Sequence, residues 1–326
     1  MNIHQAYGIA KQGALFLASL VCDHTGKFIY EYNVKTRVWS KKYNILRHCG
    51  CVWAMLDVYS ETKDQVVLEA AERALGFLCS KHITKWTAAY GRVVHERGYV
   101  KQGGNALAIL ALLKHYEITG KKKHLEFAKD LAYYVRKHIS AKDGLTKHKA
   151  SLKYGEDTGF RSEYYPGEVV LALAELCRHT QDTDYYDDAT TLSWWLRVNG
   201  KGEVIHDHWL LQGLERLNSI DEDIFFKDYS SLIANNKVYF LKRSAPLACR
   251  SEGLLSHMIL MQDYSILPVV QELLTFQAAM QVQSDQDRGG FLDRVGGMTI
   301  RIDYTQHNIS SFIRYFRLLK MKGGRD

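Results

Sequence analysis

Five residues of this 326-residue chain are the candidates that we predict for acid–base or nucleophilic catalysis. They are His48, Asp207, His208, Glu252 and His307. Two carboxyl groups that face each other across a glycosidic bond can hydrolyse it, one as general acid and the other as nucleophile or base. Asp207 and Glu252 are less well explained as ordinary helix caps than the other acidic candidates. We therefore predict that these two form such a pair.

The histidines indicate a second chemistry, which the sequence leaves open beside hydrolysis. An imidazole or phenol whose pKa is tuned toward the working pH can remove a proton next to a carbonyl or carboxylate, as an epimerase or a lyase requires. The candidates are His48, His208, His307 and Tyr304, with Arg47 or Arg250 to neutralise a substrate carboxylate. No metal site and no cofactor are predicted, because these histidines lack a His-x-x-x-His spacing and no matching set of cysteines accompanies them.

A wider set of polar and aromatic residues is predicted to bind the substrate. It comprises Tyr43, Arg47, Asn105, Tyr164, Glu168, Trp209, Arg250, Asp303, Tyr304 and Gln306. Aromatic side chains among them present apolar faces on which sugar rings can stack. Structural roles compete with binding at several positions. Asp303 and Gln306 have the spacing of a capping box, Glu168 follows Pro166 as a capping acid would, and Arg250 could pair with Glu252.

The candidate residues lie at the beginnings of six copies of a sequence repeat. In each copy, a small or polar start is followed by an Ala/Leu-rich run at helical spacing. The copies begin at Arg47, Gly103, Tyr165, Asp207, Arg250 and Gln306. Between them lie helices with one charged face, predicted at 3–21, 64–82, 122–138, 184–198, 221–235 and 264–281. Apolar helices belong inside and charged-faced helices outside. In a closed ring of such pairs, the amino ends of all inner helices gather on one face.

Two longer segments interrupt this pattern, at 23–43 and 142–164. The first includes an alternating, strand-like stretch at 28–32. Loops of this length in a compact domain are usually functional, and each precedes an inner helix. We expect them to rise over the face that gathers the candidate residues.

Composition excludes several classes of protein. With 46% hydrophobic residues and only three prolines, the chain is a helix-rich globular protein rather than a disordered one. Its net charge of +7 is spread along the chain without a nucleic-acid-binding motif, and no apolar run is long enough to span a membrane. The six cysteines lie inside helical patterns, which predicts reduced, buried thiols and a cytoplasmic location.

Six inner and six outer helices in alternation resemble the (α/α)6 toroid of the six-hairpin glycosidase superfamily. That group includes N-acylglucosamine 2-epimerases, glucuronyl C5-epimerases and unsaturated glucuronyl hydrolases. The resemblance implies one all-α toroid domain over residues 1–326, with a carbohydrate substrate bound at its mouth. The helix amino ends gathered there would favour an acidic sugar. Terpene-cyclase-like and lanthionine-cyclase-like toroids share the architecture, and a non-catalytic sugar- or protein-binding toroid is a further alternative.

Overall fold

Twelve α-helices and eight short strands make up the part of the chain that the computed structural model describes, residues 1–86, 91–235 and 242–323. The helices are α1 (Ile3–Ser19), α2 (Ile45–Thr62), α3 (Gln65–Phe77), α4 (Gln102–Thr119), α5 (Lys122–Arg136), α6 (Tyr165–Thr180), α7 (Thr183–Val198), α8 (His208–Ile220), α9 (Ile224–Ala234), α10 (Ser244–Met261), α11 (Leu267–Ala278) and α12 (Ile302–Gly323). The strands are β1 (Glu31–Asn33), β2 (Ile83–Trp86), β3 (Gly91–Glu96), β4 (Tyr99–Lys101), β5 (Ile139–Ser140), β6 (Gly144–Leu145), β7 (Lys149–Ser151) and β8 (Thr299–Arg301).

The predicted alternation of two kinds of helix is confirmed. In α4 every residue from Gln102 to Leu113 is buried, as an all-round apolar helix requires. The next helix, α5, buries only one stripe, formed by Ala128, Leu131, Ala132, Tyr134 and Val135. Spacings of three and four residues place this stripe on one side of the helix, and the charged remainder faces solvent.

One stretch differs from the prediction. The helix expected at 64–82 ends at Phe77, and Leu78–His82 forms a π-helical turn that leads into β2. The strands β2, β3, β4 and β7 pair in that order to form a sheet. Arg97 and Gly98 both adopt positive φ, which gives the tight two-residue turn between β3 and β4. Non-helical segments were predicted only at 23–43 and 142–164. The strands β2, β3 and β4 were not predicted, because their short alternating patterns are hard to distinguish from the helical patterns on either side.

The described residues form two compact units. Unit 1 comprises Met1–Phe77 with Val238–Asp326, and unit 2 comprises Leu78–Lys237. In unit 1, α12 packs against α1, α2 and α10, and β1 pairs antiparallel with β8. In unit 2, α6 packs against α4, α7 and α8. The single domain over residues 1–326 stays a prediction.

Two predictions from composition can be compared with this arrangement. Within the described ranges, no helix combines the length and the apolar character needed to cross a membrane. The six cysteines form no disulfide bond. Cys49, Cys51 and Cys177 are buried as expected, whereas Cys22, Cys79 and Cys249 are only partly buried.

Candidate active site

Helices α10 and α12 of unit 1 bring together Cys249, Glu252 and His307. Cys249 and Glu252 are three residues apart on α10, so they lie on the same face of that helix. His307 lies on α12, which packs against α10. Its Nδ1 is 3.0 Å from Oε2 of Glu252. The Glu252 side chain is completely buried, whereas that of His307 is 12% exposed.

The protonation of His307 depends on these two neighbours. Burial opposes a charge on the imidazole, but Cys249 and Glu252 attract that charge and hydrogen-bond the ring. Their combined effect raises the pKa of His307 well above its ordinary value. Burial also raises the pKa of the Cys249 thiol, although His307 partly counters this. The cluster therefore holds an imidazolium against the buried Glu252 side chain at neutral pH.

Helix α2 shapes the other side of this cluster. The predicted binding residue Gln306 is buried, and its Nε2 lies 3.4 Å from Nδ1 of His307. A Cβ atom at Gly50 of α2 would lie 3.1 Å from Oε1 of Gln306. Glycine at this position lets α2 approach the Gln306 amide closely.

Arg47 and Asp303 form an ion pair rather than an open pair of binding groups. Arg47 Nε lies 2.9 Å from Asp303 Oδ2, and Arg47 also contacts the Tyr30 hydroxyl. Arg301 Nε binds the second oxygen of Asp303 at 2.5 Å, and its guanidinium lies 4.4 Å from the centre of the Tyr304 ring. Both oxygens of Asp303 therefore have cationic partners. Burial raises the pKa of Tyr304, so its phenol stays protonated at neutral pH.

His48 and Tyr43 hold α2 in place. Tyr43 Oη lies 2.7 Å from Nδ1 of His48, and Nε2 of His48 lies 2.9 Å from the carbonyl oxygen of Ala74 on α3. His48 is fully buried. Both ring nitrogens are thus used within the fold, and this geometry gives no support to a catalytic role for His48.

Arg250, also on α10, is a buried guanidinium. Desolvation lowers its pKa to about 10. The group remains charged at neutral pH, since this value is still well above 7. The predicted pairing or substrate role of Arg250 stays a prediction.

In unit 2, Asp207 is the N-cap of α8. Its Oδ1 accepts hydrogen bonds from the backbone N–H groups of Trp209 at 3.0 Å and Leu210 at 3.2 Å. The side chain is 1% exposed, and desolvation raises its pKa to about 7 despite these two bonds. Asp207 is therefore a helix cap, although the sequence made it one of the two acidic candidates least well explained in that way. Glu252 belongs to unit 1, and the pairing of these two carboxyl groups stays a prediction.

Asn105 also serves the fold of unit 2. Its Oδ1 accepts from the N–H of Val94 on β3 at 2.9 Å, and its Nδ2 donates to the carbonyl of Lys101 at 2.7 Å. The residue is fully buried. These bonds fasten the sheet to the beginning of α4, which accounts for a polar residue in an apolar helix.

The remaining predicted residues of unit 2 lie at the amino ends of α6 and α8. Tyr164 is 42% exposed and meets the buried His208 ring edge-on at 6.2 Å, and His208 lies 4.7 Å from the Trp209 ring. Glu168 is buried, and a Cβ atom at Gly103 of α4 would lie 2.0 Å from its Oε2. Of these residues, Tyr164 presents the largest accessible aromatic surface for a ligand.

Sequence reasoning missed Cys249, which was assigned to the apolar interior. The Cys249-x-x-Glu252 spacing was the available signal, since it places two ligating or proton-carrying groups on one helix face. Only the packing of α12 shows that His307 completes the group.

Several proteins of known structure resemble this chain over nearly its whole length. A cellobiose 2-epimerase from Bacillus thermoamylovorans superposes with a TM-score of 0.78 at 15% identity, covering 97% of this chain and 99% of that one. A D-mannose isomerase gives a TM-score of 0.77 at 12% identity, covering 98% of each chain. A family 76 glycoside hydrolase, a mannosidase from Bacteroides thetaiotaomicron, gives 0.72 at 11% identity, covering 97% of this chain and 100% of that one.

Sequence comparisons give no corresponding result. No protein-family model matches the chain. No curated protein matches it either. The likeness to solved structures therefore concerns the fold. With its helices in the predicted order, the chain has an all-α, (α/α)6 toroid fold.

Proposed function

We propose that this protein is a carbohydrate-active enzyme that epimerises or isomerises a sugar by moving a proton next to a carbonyl group. The observation that carries the proposal is the 3.0 Å contact between His307 and Glu252. Of the two side chains, only that of His307 reaches solvent. His307 is therefore the group that can meet a substrate, and Glu252 is the group that positions and charges it.

The geometry suggests how this pair would act. Neutral His307 takes the proton from the carbon beside the carbonyl of an open-chain sugar, which leaves an enediolate. The imidazolium that forms lies against the Glu252 carboxylate, so its positive charge is stabilised. The same imidazolium then returns the proton. Return to the same carbon gives the epimer when the planar enediolate has turned its opposite face to His307. Return to the former carbonyl carbon, with the hydroxyl proton moving to the former carbonyl oxygen, gives aldose–ketose isomerisation.

The carboxyl groups favour this chemistry over paired-carboxylate hydrolysis. Asp207 is buried, and its Oδ1 accepts hydrogen bonds from two backbone N–H groups. Asp303 has an arginine on each of its oxygens. Neither is presented as a free acid or nucleophile, whereas the His307 ring is partly exposed beside its carboxylate. The similar folds include an epimerase, an isomerase and a mannosidase, so they are compatible with this choice and the side chains carry it.

Incubation with reducing sugars in deuterated water tests the proposal. Mannose, glucose and cellobiose are suitable first substrates, because the similar structures are named for two of them. We expect deuterium to enter the sugar at the carbon next to the carbonyl, detected by NMR. A new reducing end without deuterium at carbon would instead identify a hydrolase. Sugar binding with neither product would identify a non-catalytic toroid.

Substitution of the histidine assigns the proton transfer. We expect His307→Asn to reduce the exchange rate by about 10²- to 10⁴-fold, the usual contribution of a general base. His257→Asn is the matched control, since His257 is a partly buried histidine on α10 whose pKa is lowered chiefly by burial. Circular dichroism would confirm that both variants fold. Exchange at the wild-type rate in His307→Asn would refute the assignment.

A further inference from the structure

The cluster on α10 and α12 contains three different metal-ligating groups. Cys249 offers a sulfur, Glu252 a carboxylate oxygen and His307 an imidazole nitrogen. One such atom from each residue lies within 4.8 Å of the atoms from the other two. Glu252 and His307 are already 3.0 Å apart. Their side chains thus converge on one point between two packed helices.

These distances suit a small tetrahedral ion. Zinc binds sulfur at about 2.3 Å and nitrogen or oxygen at about 2.0–2.2 Å, so tetrahedral ligand atoms lie roughly 3.3–3.8 Å apart. Small side-chain rotations would bring all three atoms into that range. A thiolate with an imidazole favours zinc or a similar transition metal over magnesium and calcium, which prefer oxygen ligands.

We propose that Cys249, Glu252 and His307 bind one divalent ion of the zinc type. The ion takes the place of the protons that the thiol and the imidazolium carry.

The consequence for turnover rests on the proposed function. A coordinated nitrogen cannot accept a proton, so bound zinc stops proton transfer by His307. Zinc is then an inhibitor that a chelator reverses, and the metal-free chain is the active form.

Metal binding can be measured without any sugar. The chain is first treated with a chelator and then titrated with cobalt(II), whose thiolate complexes absorb in the near ultraviolet. We expect a charge-transfer band that saturates at one ion per chain. Zinc chloride, followed by calorimetry, should bind with the same stoichiometry and displace cobalt.

Matched cysteine variants locate the site. Cys249→Ser should abolish the charge-transfer band and weaken zinc binding at least tenfold, because a hydroxyl replaces the thiolate. Cys22→Ser should keep both, although Cys22 is also a partly buried cysteine of unit 1. Glu252→Gln should weaken zinc binding while it retains the band, since the thiolate remains.

Two results would overturn the site. One is the absence of a charge-transfer band in the wild-type chain, and the other is unchanged zinc affinity in Cys249→Ser. Deuterium exchange by the metal-free protein tests the enzyme separately. Deuterium exchange without zinc binding would refute only the metal site. Zinc binding without deuterium exchange would refute only the proposed function.

Discussion

At the scale of single residues, the charge on His307 is the feature with the most direct consequences. Burial alone would keep this ring neutral, but Cys249 and Glu252 outweigh burial and raise its pKa. A base with a raised pKa is mostly protonated at neutral pH, so its neutral form accumulates only as the pH rises. We therefore expect the exchange rate to increase with pH through the pKa of His307.

Glu252→Gln tests this electrostatic coupling. Removal of the carboxylate should lower the pKa of His307, so the rising limb of the pH–rate profile shifts to lower pH. The maximal rate should fall at the same time, because the imidazolium loses its partner. NMR titration of the His307 ring gives the pKa independently of activity. Glu272→Gln, at an exposed position of α11, should leave both curves unchanged.

The same pair links stability to pH. The folded-state pKa of His307 lies above its unfolded value, so the stabilisation is complete below the unfolded pKa of about 6.5. It is lost as the pH rises through the folded pKa. Wild-type unfolding free energy should fall over that window more than that of Glu252→Gln. Parallel curves for the two proteins would contradict the coupling.

At the scale of elements, the beginning of α8 depends on one buried carboxyl group. Asp207→Ala removes the acceptor for two backbone N–H groups and should cost about 1–2 kcal/mol of unfolding free energy. Asp207→Asn keeps an acceptor oxygen and should cost less. Urea denaturation measures both values.

The pH dependence separates capping from charge. Because burial raises the pKa of Asp207 to about 7, its folded-state proton favours the fold at low pH, and that benefit is lost as the pH rises through this value. Asn carries no such proton. The Asn variant should therefore gain stability relative to the wild type as the pH rises from about 4, the ordinary pKa of an aspartate, to about 7. An unchanged difference between them would show that Asp207 does not titrate there.

At the scale of the whole molecule, the two ends of the chain meet inside unit 1, where α1 packs against α12. The Tyr315 hydroxyl donates to the carbonyl of Met1 at 3.0 Å. A Cβ atom at Gly13 of α1 would lie 2.3 Å from Cγ2 of the buried Ile309 on α12. This close approach joins segments almost 300 residues apart.

Two glycines of the same helix test this packing. Gly13→Ala should lower the unfolding free energy by about 1–3 kcal/mol, because the interface is overpacked. Gly8→Ala should raise it by about 0.5–1 kcal/mol, since a Cβ there meets no atom within 4 Å and alanine favours the helix. Equal effects in denaturant titrations would mean that α1 and α12 do not approach as described.

The helices could be predicted from the residues alone, because apolar side chains recur with the helical period. The fully buried α4 and the one-sided α5 differ in composition alone, so their roles could be predicted without coordinates. The short strands β2, β3 and β4 were not predicted, since the alternating pattern of each covers only a few residues.

The roles of single polar residues could be read only from the folded chain. His48 and Asn105 have the residue types of a site, yet neighbouring segments use their polar atoms to hold the fold together. Cys249 has the pattern of a core residue, yet it lies beside His307. The physical reason is that a polar group takes its pKa and its role from neighbours in space, and those neighbours come from helices far apart in the chain.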